Sequence, residues 1–167
     1  MNIQFWNSPF QFWTVLLVTA LLFLGCMNNS QSGDLVMNSS GKDKYLKDGE
    51  LLPCPDKPNC VSSESPEGDS HIAPLEFTGN APMAWQILQE QLHEMGGQIE
   101  EVDDSFLHAT FHSRLFRFVD DVTCRLDEEN SRIHFRSAAR VGYSDFGVNR
   151  KRMVELRKRF ASSYPQR

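Results

Sequence analysis

Between residues 136 and 153 the sequence reads RSAARVGYSDFGVNRKRM, a concentration of oriented polar side chains where a strand pattern gives way to a helix pattern. Arg136, Arg140, Asn149, Arg150 and Arg152 can converge near the N-terminus of that helix, whose free amides and dipole favour anions. Tyr143 and Asp145 complete the set from the intervening turn. Guanidinium forks match the oxygens of a phosphate, a carboxylate or an acidic lipid headgroup, so the chemistry on offer is binding of an anionic or lipidic small ligand. The same residues also work as punctuation. Gly142 permits a tight turn, Ser144 or Asp145 can cap the helix, and Tyr143 can pack or hydrogen-bond across the turn. The sequence leaves both readings open.

A second anomaly lies upstream. In LFRFVDDVTCRL the alternating face Phe116, Phe118, Asp120, Val122, Cys124, Leu126 is apolar except at Asp120. An unpaired buried carboxylate costs on the order of several kcal/mol. Arg114, earlier on the same strand face, is the natural structural pair for Asp120, with Arg136 and Arg140 on or just beyond the following strand as further partners. Such a network either pins the sheet to the last helix or holds a ligand. Asp120 or Asp145, with a nearby histidine or tyrosine, also supplies the alternative function, a hydrolase or transferase. Arginine rarely acts as an acid or base at neutral pH, and GxSxG, HExxH, GxxxxGK and GxGxxG are all missing, so binding is favoured over catalysis. His108 and His112 on a strand would stand roughly 13 Å apart, too far to share a metal unaided. Neither a metal nor a cofactor is expected.

These residues need elements to hold them. NAPMAWQILQEQLHEMGG predicts a helix capped by Asn80, with Pro82 in its first turn, Trp85, Leu88, Leu92 and Met95 as its buried stripe, and Gly96 and Gly97 at its end. QIEEVD, FLHATFHS, LFRFVDDVTCRLD and RIHFRSAA predict strands, the last two joined by a hairpin turn at DEEN. Short polar connections between them predict antiparallel pairing. A last helix from about 147 to 161 should turn Val148, Met153, Leu156 and Phe160 to the sheet. The expected fold is α+β with two layers: a helix, a four-stranded mainly antiparallel sheet, then a C-terminal helix.

The N-terminus states where such a domain works. FWTVLLVTALLFLG, residues 12 to 25, is an uncharged run of signal-peptide length, and Cys26 follows at once. LFLGC resembles the lipobox of bacterial lipoproteins, in which the cysteine is acylated. An uncleaved anchor or ordinary secretion are the other outcomes, and each puts the domain outside the cytoplasm. The expected layout is a signal peptide over 1–25, a flexible tether over 26–50 and one globular domain over 51–167. Lipidation at Cys26 would hold the protein to the cell envelope, facing the periplasm, and Met27 with Asn28 favours the outer membrane over the inner. Cys54 and Cys60 flank a proline-constrained loop and are expected to form a disulfide, while Cys124 falls among apolar strand positions as a buried thiol.

Composition sets the outer limits. The 167 residues, 40% hydrophobic and 23% charged, suffice for one packed core. The net charge of -5 hides an asymmetry: residues 1–113 carry 4 Lys and Arg against 15 Asp and Glu, and residues 114–167 carry 13 against 7. A pI near 5.5 argues against nucleic acid as a partner and leaves room for a local anion site. The remaining partners are the membrane, through the lipid anchor, a small anionic or lipidic molecule, and a protein.

Three separated motifs, CPDKPNCVSS, SRLFRFVDDV and RSAARVGYSDFGVNRKRMVELR, in this order and spacing, resemble the bacterial and plastid family known as domain of unknown function 1499. The resemblance covers about residues 51 to 160. It implies no activity, and lipoprotein or membrane-anchored members are common in the family. Where the family pattern has RSASR this chain has RSAAR, and the hydroxyl missing at Ala139 favours structure over shared catalysis.

Overall fold

A computed structural model describes residues 41–113 and 117–164; Cys26, the apolar N-terminal run, Arg114 and Phe116 lie outside the described residues. After a single 3-10 turn over Gly41–Lys44 come β1 (Leu46–Lys47), β2 (Glu50–Leu51), β3 (Cys60–Ser62) and β4 (Leu75–Glu76). Then follow α1 (Ala81–Glu94), β5 (Gln98–Val102), β6 (Phe106–His112), β7 (Val119–Asp127), β8 (Arg132–Ala139) and α2 (Val148–Ser163). β1 and β2 form a small hairpin, and the others a six-stranded antiparallel sheet in the order β3, β8, β7, β6, β5, with β4 also paired to β8. The α+β class therefore holds, while the sheet has six strands where the sequence pattern gave four. β3 and β4 escaped because strands of three and two residues are too short to show an alternation.

Both helices lie on one face of the sheet, where Leu107, Ala109, Val122, Cys124, Ile133 and Phe135 meet Leu88 and Leu92 of α1 and Met153, Leu156 and Phe160 of α2. α1 begins as its sequence dictates: Asn80 Oδ1 accepts a hydrogen bond from Met83 N at 2.8 Å. Gly97 follows it because a Cβ there would stand 2.8 Å from the Phe111 ring and 2.9 Å from the Leu92 carbonyl. In α2 the expected stripe shifts by one residue: Val148 is exposed and Asn149 is buried in its place. A side chain able to hydrogen-bond on both sides, not an apolar one, is what that position requires.

The opposite face of the sheet is also covered. Tyr45 lies on it, its ring centroid 4.3 Å from that of His108 and 6.3 Å from that of Phe106. Leu51 is buried, and its amide donates to Glu64 Oε2 at 2.6 Å; Lys42 reaches Asp103 at 2.9 Å. Folded structure thus starts by Gly41, about ten residues ahead of the boundary that composition indicated, because tertiary contacts of single residues overrule a polar local makeup. Among the described residues no helix is long and apolar enough to cross a membrane.

Candidate functional site

Strand alternation divides the polar motif between two sides of the sheet. On the helix side Asp120 is buried and its partner is Arg152 of α2, whose Nη2 donates to Oδ2 at 2.7 Å. Arg152 Nη1 also donates to Asn149 Oδ1 at 2.6 Å and Ser137 Oγ at 3.2 Å, and its guanidinium sits 4.5 Å from the centroid of the Phe111 ring. Ser137 Oγ donates to the same Asn149 oxygen. Asn149 Nδ2 donates to the Asn59 carbonyl at 3.3 Å, and Asn59 Nδ2 donates to the Gly142 carbonyl at 2.9 Å. Of the partners expected for Asp120, Arg114 lies outside the described residues and Arg136 and Arg140 do not bond it; among the described residues the arginine that reaches it comes from the first turns of the last helix. A helix laid on the sheet presents its side chains to that face, whereas β8 sends Arg136 and Arg140 to the other.

That other face holds a second cluster. His108 Nε2 meets Asp121 Oδ1 at 2.7 Å, while Arg140 Nε donates to Asp121 Oδ2 at 2.9 Å and its Nη2 to Oδ1 at 2.8 Å. Burial works against the Asp121 charge, yet the hydrogen bonds from His108 and Arg140 and the Arg140 charge hold its carboxyl well below the usual carboxylate range. Its hydrogen bond to Asp121 likewise raises the pKa of Arg140. Burial lowers that of Arg136, which the charge of Asp121 opposes. Among the described residues Arg136 Nε and the Oγ1 of buried Thr123 have no hydrogen-bond partner.

The turn between β8 and α2 is the third region. Gly142 adopts φ +94° and Gly147 φ +77°, conformations open to glycine, and non-glycine Phe146 is held at φ +55°. Asp145, not Ser144, caps α2: its Oδ1 accepts from Gly147 N at 2.9 Å and its Oδ2 from Asn149 N at 2.7 Å. Ser144 Oγ accepts from Phe146 N at 3.2 Å. Arg150 turns away from the helix end and donates to the carbonyls of Asp69 and His71. Tyr143 does not pack across the turn; it is 71% exposed, and Phe146 is 89% exposed. Beside them opens a cleft of about 610 Å³, walled by the loop that the Cys54 to Cys60 disulfide closes and by Tyr143, Phe146 and Arg150.

The residues grouped by sequence as one ligand site are therefore distributed over three places: Asn149 and Arg152 within the helix-side network, Arg136 and Arg140 on the opposite face, and Tyr143, Asp145 and Arg150 at the loop and cleft. Neither Asp120 nor Asp145, the carboxylates of the enzymatic alternative, hydrogen-bonds a histidine among the described residues; Asp121 does. His108, Asp121, Thr123, Tyr45 and Asn59 were missed. The alternation Phe106, His108, Thr110 and Thr123, Asp121 was legible, but it reads as an ordinary solvated face unless something is known to cover it.

The model of a family described as "Protein of unknown function (DUF1499)" matches residues 50–160. Among curated proteins none matches the chain.

Proposed function

This chain belongs to the DUF1499 family, and from that premise we propose that it is an envelope lipoprotein whose domain docks a protein partner through the aromatic tip of the strand-to-helix loop. The observation that carries this reading is Phe146, 89% exposed on a backbone that is tied down on every side. Asp145, Ser144 and the Asn59 to Gly142 hydrogen bond fix the loop, so the ordering entropy that binding normally costs is already spent in folding. Val141, Tyr143 and Val148 extend the apolar surface around it. A solvent-facing aromatic cluster on a rigid support is the usual form of an interaction hot spot.

The charges beside it favour a protein over a bilayer. Asp56, Asp69 and Asp145 share the cleft with Lys57 and Arg150, a mixed rim of the kind found at protein interfaces, whereas an anionic membrane surface attracts a basic one. A small anion gripped by the junction arginines is less favoured, since Arg150 and Arg152 already have internal partners. The membrane connection rests on Cys26 in LFLGC, and residues 27 to 40, if extended, would reach roughly 45 Å from the anchored cysteine.

Photo-crosslinking tests the docking. A photoreactive residue at position 146 of the full-length chain should give a discrete protein adduct in the envelope, and the same group at exposed Glu90 on α1 should not. Adducts to lipid alone from position 146, or the same pattern from both sites, would overturn it. The anchor has its own check: Cys26→Ser should abolish incorporation of labelled palmitate, and undiminished labelling would remove the lipoprotein reading.

A further inference from the structure

The face of the sheet beneath Tyr45 sets two arginines beside a single near carboxylate. Arg136, Arg140 and His108 gather there around one carboxylate, Asp121. Both Asp121 oxygens are taken: Oδ1 by His108 and Arg140, Oδ2 by Arg140. The other carboxylates of this face have partners of their own, and of these Glu100 also places its charge near Arg140. Glu64 pairs with Arg125 and accepts from Leu51 N, Glu100 accepts from Thr110 Oγ1, and Glu101 lies against Gly41 at the sheet edge. Asp127, further along, is bound by Asn130 and approached by His134. Arg136 is left, half-buried, without an ion pair among the described residues, and with its Nε unpartnered. A buried Nε–H without an acceptor forgoes a hydrogen bond that water would otherwise supply.

A second orphan stands beside it. Thr123 is 1% exposed, and its hydroxyl has no partner. Register places His108 opposite Thr123 on β6 and β7, and Thr123 opposite Arg136 on β7 and β8, so these three side chains form one row across the sheet at neighbour spacings of about 5 Å. Two unsatisfied donors in one row, one of them on a guanidinium, form a polar environment that lacks an acceptor. The phenol of Tyr45 lies over that row, its ring against that of His108.

We infer that this row is a binding site for a small free oxyanion, of the phosphate or carboxylate class, which accepts hydrogen bonds from Arg136 and Thr123 and is shut off from solvent by Tyr45. Arg140, held by Asp121, contributes field without being free to turn. The loop aromatics of the docking surface take no part in it, so either assignment can fail alone.

The test uses the full-length chain in detergent, with inorganic phosphate and acetate as probes at constant ionic strength made up with chloride, read by thermal shift and by calorimetric titration. Phosphate or acetate should raise the midpoint of the wild type saturably. Tyr45→Ala should tighten binding at least tenfold by uncovering the row, and Arg136→Gln should weaken it at least tenfold. Thr123→Val, which keeps the shape and removes only the orphan hydroxyl, should weaken binding severalfold while melting no lower than wild type; it carries the test if Arg136→Gln fails to fold. Vesicles containing phosphatidylglycerol form a further arm. The inference is overturned if neither probe binds wild type or Tyr45→Ala, if Thr123→Val binds as tightly as wild type or melts lower, or if binding occurs to vesicles alone.

Discussion

Asp120 and Asp121 are neighbours in sequence and on opposite faces of β7, and their surroundings differ in kind. Asp120 belongs to a closed network: Arg152, Asn149, Ser137 and Asn59 satisfy one another from α2, β8 and the disulfide loop, with only Asn59 Oδ1 left over. Asp121 sits in a cluster that is short of acceptors, with Arg136 Nε and Thr123 Oγ1 unpartnered among the described residues. A buried network that satisfies all but one of its own groups specifies an architecture, because little further can be added to it. One that does not is where a ligand has something to gain. The motif that looks like one site in sequence thus divides into a fastener and an open face.

The largest expected effect sharpens the fastener half. Arg152→Ala would leave Asp120 buried with its cation gone and would strip Asn149 Oδ1 of one donor, at a cost of about 3–5 kcal/mol. Urea denaturation of the variant measures it, and the double variant Arg152→Ala with Asp120→Ala should recover part of the loss. A single-variant cost under about 1 kcal/mol would mean that Asp120 is hydrated and that the division into two kinds of cluster is wrong.

Much of this architecture was legible in the sequence. The helix at 81–94, the four long strands and the last helix follow from periodicity and caps, and the Cys54 to Cys60 bridge from spacing in a proline-bound loop. Asp120 stood out as a carboxylate on an apolar face, but its partner did not, because helical arginines at 150, 152, 157 and 159 are indistinguishable until the helix is rotated onto the sheet. The burial of the opposite face was illegible for a different reason. It depends on Tyr45 and Leu51, two side chains in a stretch whose composition resembles a tether, and no local pattern announces a segment that folds only by lying on something else. Strand alternation put His108, Asp121, Thr123 and Arg136 on one face from the start; what turned them from a solvated surface into a cluster was the cover.

A middle-sized effect separates the two halves further. Arg140 was a sequence candidate for Asp120, in which case Arg140→Ala would resemble Arg152→Ala. It pairs with Asp121 instead, its side chain is 44% exposed, and His108 keeps its contact with Asp121 when it is gone. Arg140→Ala should therefore cost about 1 kcal/mol or less in the same urea experiment. A cost approaching that of Arg152→Ala would join the two clusters into one.

The smallest effect is one of acid, and its sign follows from the Asp121 environment. The folded state gives up the Asp121 proton more readily than the unfolded chain does, because His108 and Arg140 hydrogen-bond the carboxylate strongly enough to outweigh its burial. At pH values below the ordinary carboxylate value of about 3.8, the unfolded chain therefore binds the proton while the folded chain still resists it. The contribution of Asp121 to stability is accordingly whole above about pH 4 and drains away as the pH falls below it. Asp103 and Asp127, also held below the usual range, add acid sensitivity of their own, so the wild-type curve alone would not isolate Asp121. The difference between wild type and Asp121→Asn does, since the other carboxylates are common to both proteins. Urea midpoints measured from pH 6 down to the acid limit of folding should show a gap between the two proteins that is constant above about pH 5 and narrows below about pH 4. A gap that stays unchanged through the acid range would mean that the charge on Asp121 contributes nothing beyond its shape, and with it would go the claim that the face beneath Tyr45 is organised around a carboxylate that His108 and Arg140 together keep ionised.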